Sequence, residues 1–165
     1  MTGIQIATLS DIEAIEKTPI EERVSAHNTY DLIKNGAAIN PDGIALSFML
    51  SGDAYATPMQ VTYGDLIANI TRAANLFNDL GIGSEDVVSY LLPNLPQTHY
   101  TLWGGEAAGV VNPIYPMLEA GTIREICRAA GTKVLVALGD VPGADIWPKV
   151  EAIRSEMPDL EAIVR

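Results

Sequence analysis

The chain has 165 residues, 48% hydrophobic and 19% charged, which suits one folded domain and excludes a disordered tail. Ten basic against 21 acidic residues give a net charge of −11, a field that repels phosphate backbones and anionic bilayers and argues against nucleic-acid binding. The single cysteine, Cys127, forms no internal disulfide or cysteine-built metal site, and no run approaches the roughly 20 apolar residues of a membrane span.

The N-terminal stretch predicts short capped helices. Ser10 and Glu13 stand at the spacing of a capping box, with Ile12 and Ile15 on one face. Thr18, Pro19 and Glu21 repeat the signal, with Pro19 at the first helical position. A third helix runs from Tyr30 to about Ile39 and stops before Pro41. The acids Asp11, Glu13, Glu16, Glu21 and Glu22 read as solvated helix faces, several of them in first turns where they complement the helix dipole.

A hairpin follows: strand Ile44–Leu50, a turn at Ser51-Gly52-Asp53, and a return strand Met59–Tyr63. Thr62 then caps a long helix from Tyr63 to about Leu80. Its apolar positions Leu66, Ile67, Ile70, Ala73, Ala74, Phe77 and Leu80 keep the 3.6 period, and Gly81 and Gly83 end it.

Beyond Gly83, strands and helices alternate. The predicted strands are Val87–Leu92, Gly109–Ile114, Lys133–Leu138 and Leu160–Arg165. The predicted helices are Pro96–Ala108, Glu119–Ala130 and Asp145–Met157, the last with Pro148 in its first turn. Apolar runs separated by helices predict an α/β fold whose parallel sheet has helices on both faces and right-handed crossovers. The expected division is a helical segment, 1–40, and a partial α/β unit, 41–165. The last strand lacks a covering element, so the chain is expected to stop inside a domain. Mean hydropathy of +0.17 and the missing cover together predict exposed apolar surface and self-association of the isolated chain.

The familiar catalytic patterns are absent. No Gly-x-Ser-x-Gly elbow or Gly-x-x-x-x-Gly-Lys-Ser/Thr loop occurs. Gly81-Ile-Gly83 precedes a strand, which is the wrong order for a dinucleotide fingerprint. His99 lies near Trp103, with Glu106 about two turns on, and His27 is the only other histidine. A structural role is the expectation for His99. Cys127 shares a helix face with Ile123 and Ile126 and is expected to be a small buried hydrophobe. No metal-ligand spacing is present. Two loops are candidates for binding: Leu91–Pro96 and Asn112–Pro116 both follow predicted parallel strands, beyond whose carboxyl ends ligands bind. Their prolines either stiffen a binding wall or simply end strands and cap helices.

Four stretches resemble the N-terminal part of the adenylate-forming acyl-CoA synthetases, the AMP-binding ligase superfamily. They are Tyr30–Ile33 with Asn40-Pro41-Asp42, Val61–Leu66, Gly83–Asn94, and Trp103–Pro116. The resemblance implies an incomplete piece of the large domain of an acid–thiol ligase. Its carboxylate substrate attacks the α-phosphorus of ATP, with magnesium assisting, and a thiol, usually coenzyme A, then takes the acyl group from the acyl-adenylate. The family's phosphate loop, adenine and ribose sites and catalytic lysine would lie beyond Arg165, so the resemblance assigns no catalytic residue and no metal ligand here and implies that this chain alone is inactive. It places Tyr115, Pro116 and Met117 at a coenzyme A access loop. Some relatives carry a basic residue at the position of Met117, which brings no charge. The expected parent is a fatty- or medium-chain acyl-CoA ligase of the cytoplasm. Alternatives are a fatty-acyl-AMP ligase feeding a carrier protein and a non-catalytic partner-binding module. The N-terminus shows no secretory signal, and the lone cysteine fits a reducing compartment.

Overall fold

The computed structural model describes residues 6–165. Met1–Gln5, the start of the predicted helical segment, lie outside the described residues. The N-terminal helices are α1 (Leu9–Glu16), α2 (Ile20–Arg23) and α3 (Thr29–Ile39).

Their starts differ from the sequence reading. The capping box of α1 is made by Thr8 and Asp11, not by Ser10 and Glu13. Asp11 Oδ2 accepts from the backbone N–H groups of Ala7 (3.1 Å) and Thr8 (2.9 Å), and Thr8 Oγ1 accepts from Asp11 N (3.4 Å). Ser10 therefore falls inside the first turn. Pro19 is the cap of α2, not its first helical residue, because its ψ of 149° is extended. Only four residues of helix follow it. In α3, Asn28 caps by accepting from Asp31 N at 2.8 Å, and a hydrogen bond of 2.8 Å between the Tyr30 hydroxyl and Thr71 Oγ1 ties the helix to the body.

Strands β1 (Ile44–Phe48) and β2 (Met59–Thr62) pair antiparallel, with an irregularity between Ile44 and Leu46. Both are shorter than the sequence suggests, and a 3-10 turn over Gly52–Ala56 occupies much of the connection. Thr62 Oγ1 accepts from Asp65 N at 3.1 Å and starts α4 (Tyr63–Asp79). Leu66, Ile70, Ala74 and Phe77 are its buried face, as the period predicts. Gly81, at φ +81°, ends it.

The remaining elements are β3 (Val87–Leu91), α5 (Pro96–Ala108), β4 (Val110–Pro113), α6 (Ala120–Ala130), β5 (Thr132–Ala137), α7 (Ile146–Ile153) and β6 (Ala162–Val164). The four strands form one parallel sheet in the order β4-β3-β5-β6. Only three residues of the predicted Leu160–Arg165 strand pair with β5.

Alternation along the central strands makes two cores. Val88, Tyr90, Val134 and Val136 pack with Phe77 and Ile82 on the α4–α5 side. Leu91, Leu135 and Ala137 pack with Ile123, Cys127, Ile146 and Val150 on the α6–α7 side. The edge strands β4 and β6 remain partly exposed. A third cluster, built on Val61, Leu66 and Ile70, joins the hairpin and α3 to α4 and α5. Helices α4 and α5 approach so closely that a Cβ at Gly104 would lie 2.6 Å from Ala73 Cβ and 2.9 Å from Ile70 O. A side chain there would push the two helices apart.

Candidate functional site

The connections around β3 run in opposite directions. From β3 the chain passes through α5 to β4 on one side, then through α6 to β5 on the other side. Leu102 and Ala108 of α5 pack on one face, whereas Ile123 and Cys127 of α6 pack on the other. The gap between the carboxyl ends of β3 and β5 is therefore a topological switch point, where parallel α/β sheets open a crevice for ligands.

A cleft of about 620 Å³ lies there. Leu92 and Leu95 reach it from the end of β3, and Leu138, Gly139 and Val164 from the ends of β5 and β6. Tyr100 and Thr101 of α5, Asn69 and Ala73 of α4, and Phe48 and Met59 of the hairpin also line it. The rim is braced. Leu138 N donates to Leu91 O (3.2 Å), holding the two strand ends together. The Thr98 hydroxyl donates to Pro93 O (2.5 Å) and accepts from Leu95 N (3.3 Å), fixing the loop that leads into α5.

The cleft is lined mostly by hydrocarbon. Arg165 is the only Asp, Glu, Lys or Arg among the described residues on its wall. Its guanidinium carbon sits 4.8 Å from the centre of the Trp147 ring, within cation–π range. Burial and, secondarily, the Asp65 carboxylate push the Tyr100 phenol above its ordinary pKa, so it faces the cleft as a neutral hydroxyl.

The two candidate loops part company. Leu92, Leu95 and Pro96 of the first line the cleft. The second follows the edge strand β4 and does not reach it. There Asn112 Nδ2 donates to Ser89 Oγ (2.9 Å), which in turn shares a 2.6 Å hydrogen bond with Thr132 Oγ1. This polar chain links β4, β3 and β5 inside the sheet. Tyr115 and Met117 are 66% and 65% exposed. Pro116 lies between them, its carbonyl accepting from Lys149 Nζ at 3.1 Å.

Cys127 is buried, and burial pushes its thiol pKa up although the Thr132 and Ser89 hydroxyls partly offset this. His27 is exposed. So is His99, which borders a smaller hollow beside the hairpin. Among the described residues no group of three or more His, Cys, Asp or Glu side chains is placed to hold a metal ion, and no helix is long and apolar enough to cross a membrane. Phe48, Tyr100, Leu138 and Arg165 are cleft residues that the sequence reading did not single out. The rule that pointed to the end of β3 applies equally to the end of β5, but strand order decides which two ends face one crevice.

The profile of the AMP-binding enzyme family matches residues 33–165. The chain is 32% identical over 149 residues to a marinolic acid–CoA ligase of Pseudoalteromonas, covering 90% of this chain and 23% of the relative. It is 30% identical over 102 residues to a long-chain-fatty-acid–CoA ligase of Mycobacterium tuberculosis, covering 61% of this chain and 19% of the relative. Its fold is similar to that of a solved fatty acyl CoA synthetase of Mycobacterium tuberculosis, with a TM-score of 0.71 at 24% identity, over 83% of this chain and 26% of that one. The chain thus spans about a quarter of the length of these proteins or less.

Proposed function

The chain belongs to the AMP-binding enzyme family, and we propose that it is the N-terminal portion of an ATP-dependent acyl-CoA ligase acting on fatty or medium-chain carboxylates. In this reading the ligase activates the carboxylate as acyl-AMP and transfers the acyl group to coenzyme A. The observation that carries it is the apolar cleft at the switch point between β3 and β5, with Arg165 as the one charged wall residue among the described residues. Hydrocarbon fits such a wall because apolar surface leaves water there at about 25 cal/mol per Å². A magnesium–triphosphate does not fit it, since a multiply charged group would lose hydration with one cation to replace it.

The division of labour follows. Residues here hold the apolar body of the carboxylate, and the ATP, magnesium and catalytic groups belong to the rest of the ligase. Contact with coenzyme A at Tyr115, Pro116 and Met117 runs through the Tyr115 side chain and the backbone, because Met117 offers no charge to a phosphate. The division into a helical segment, 1–40, and an α/β part, 41–165, belongs to the same proposal, as does a cytoplasmic setting.

The test is carboxylate-dependent exchange of pyrophosphate into ATP. Octanoate and dodecanoate should support exchange by a ligase that contains this chain and none by the chain alone. Exchange by the chain alone would overturn the division of labour. A longer ligase that exchanges with neither acid would overturn the substrate class.

A further inference from the structure

We propose that Thr98 is a positioning residue for the cleft: its hydroxyl holds the loop 92–95, between β3 and α5, in one shape, and binding in the cleft depends on that fixed wall. The inference rests on reading the cleft as the site of the carboxylate's apolar body and adds the residue that keeps the wall formed.

The loop has few backbone donors of its own, because Pro93 and the following Pro96 carry no N–H. Leu95, at the cap position of α5, makes no side-chain hydrogen bond to the helix. Thr98 reaches back instead. Its hydroxyl accepts from Leu95 N at 3.3 Å and donates to Pro93 O at 2.5 Å, and its own N–H donates to Leu95 O at 3.0 Å. The bond from Leu95 N is the returning half of a capping box and belongs to the helix start. The bond to Pro93 O does not. It runs to a carbonyl five residues earlier, outside the helix, and pins the loop.

Both bonds need one group that donates and accepts at once, which a hydroxyl does. Valine has the shape and does neither, and an aspartate accepts but has no proton to give at neutral pH. Thr98 is half-buried and does not line the cleft. It acts through Leu92, Leu95 and Pro96, which do. The strand ends are joined separately, by Leu138 N donating to Leu91 O. Loss of the Thr98 hydroxyl therefore leaves the sheet closed and the loop free. Binding then includes the entropy of ordering that loop, which the wild type has already lost on folding.

The experiment is calorimetric titration of the 165-residue chain and its variants with dodecanoate below its micelle concentration, with thermal melting and amide hydrogen exchange on the same samples. Thr98→Val should weaken dodecanoate about tenfold and speed exchange at Leu95. Thr98→Ser should restore both. Thr98→Asp keeps the acceptor for Leu95 N and adds an acid to the first turn of α5, which favours the helix. It should therefore melt above Thr98→Val yet bind as weakly. Uncharged 1-dodecanol should show the same losses, which separates the missing hydrogen bond from repulsion by the new carboxylate. Asn28→Ala removes the cap of α3, away from the cleft, and should lower the melting temperature without weakening dodecanoate. Wild-type affinity in folded Thr98→Val, or affinity that simply follows melting temperature across all the variants, would overturn the proposal and leave the cleft reading in place. Where Thr98→Val does not fold, equal affinity of Thr98→Ser and Thr98→Asp would overturn it. No binding by the wild type would overturn the cleft reading and this proposal with it.

Discussion

Asp86 sits at the amino end of the sheet, opposite the cleft, and couples the sheet to pH. Its carboxylate accepts from Gly83 N at 2.8 Å and from Lys133 Nζ at 3.3 Å. These contacts, the backbone bond first, hold its pKa below the ordinary carboxylate value. A lowered folded pKa means stability that is present above the unfolded value of about 3.9 and is lost as pH falls through the folded value. Wild type should therefore melt above Asp86→Asn at neutral pH, and the gap should close below about pH 4. A gap independent of pH would show that the carboxylate charge is not what matters. Residue-scale reading of the sequence succeeded where one geometry satisfies the pattern. Thr62 caps α4, and Cys127 is buried beside Ile123, as spacing implied. It failed at α1 because Thr8 with Asp11 and Ser10 with Glu13 both fit the same spacing, and the backbone path chooses between them.

Two glycines separate close packing from open helix surface. Gly104→Ala places a methyl group against Ala73 and the backbone of Ile70, and should cost about 1–3 kcal/mol in urea unfolding by forcing α4 and α5 apart. Gly36→Ala, in the middle of α3, meets nothing within 4 Å and should stabilise by up to about 1 kcal/mol through helix propensity. Equal effects at the two sites would contradict the packing described. At this scale the sequence was most legible for long periodic helices such as α4, whose buried Leu66, Ile70, Ala74 and Phe77 all belong to the expected face, while Ile67, Ala73 and Leu80 of that face are half-buried. Strand ends were less legible. A run of apolar residues continues past Phe48 into Met49 and Leu50, yet pairing stops at Phe48 because the connection turns into a 3-10 segment. Likewise Leu160 is apolar but packs against the α6–α7 core without joining the ladder.

The order β4-β3-β5-β6 is a property of the whole sheet, and it creates the cleft. Alternating strands and helices announced a parallel sheet, and the family's motifs announced a ligase piece. Neither states which strand ends are neighbours, so the loop after β4 looked as good a site as the loop after β3. Only the assembled sheet puts Leu92 and Leu95 opposite Leu138 and Gly139 and leaves Tyr115 and Met117 exposed. Arg165 was legible only as a terminal strand residue, because its placement on the cleft wall depends on β6 pairing beside β5. The most direct measurement is amide chemical-shift mapping of the isotopically labelled chain during titration with dodecanoate. The expected result is a contiguous set of shifts at Leu92, Leu95, Tyr100, Leu138, Gly139 and Val164, with Tyr115–Leu118 unmoved. Shifts confined to Tyr115–Leu118, or no shifts at all, would contradict the assignment of the cleft as the acyl site.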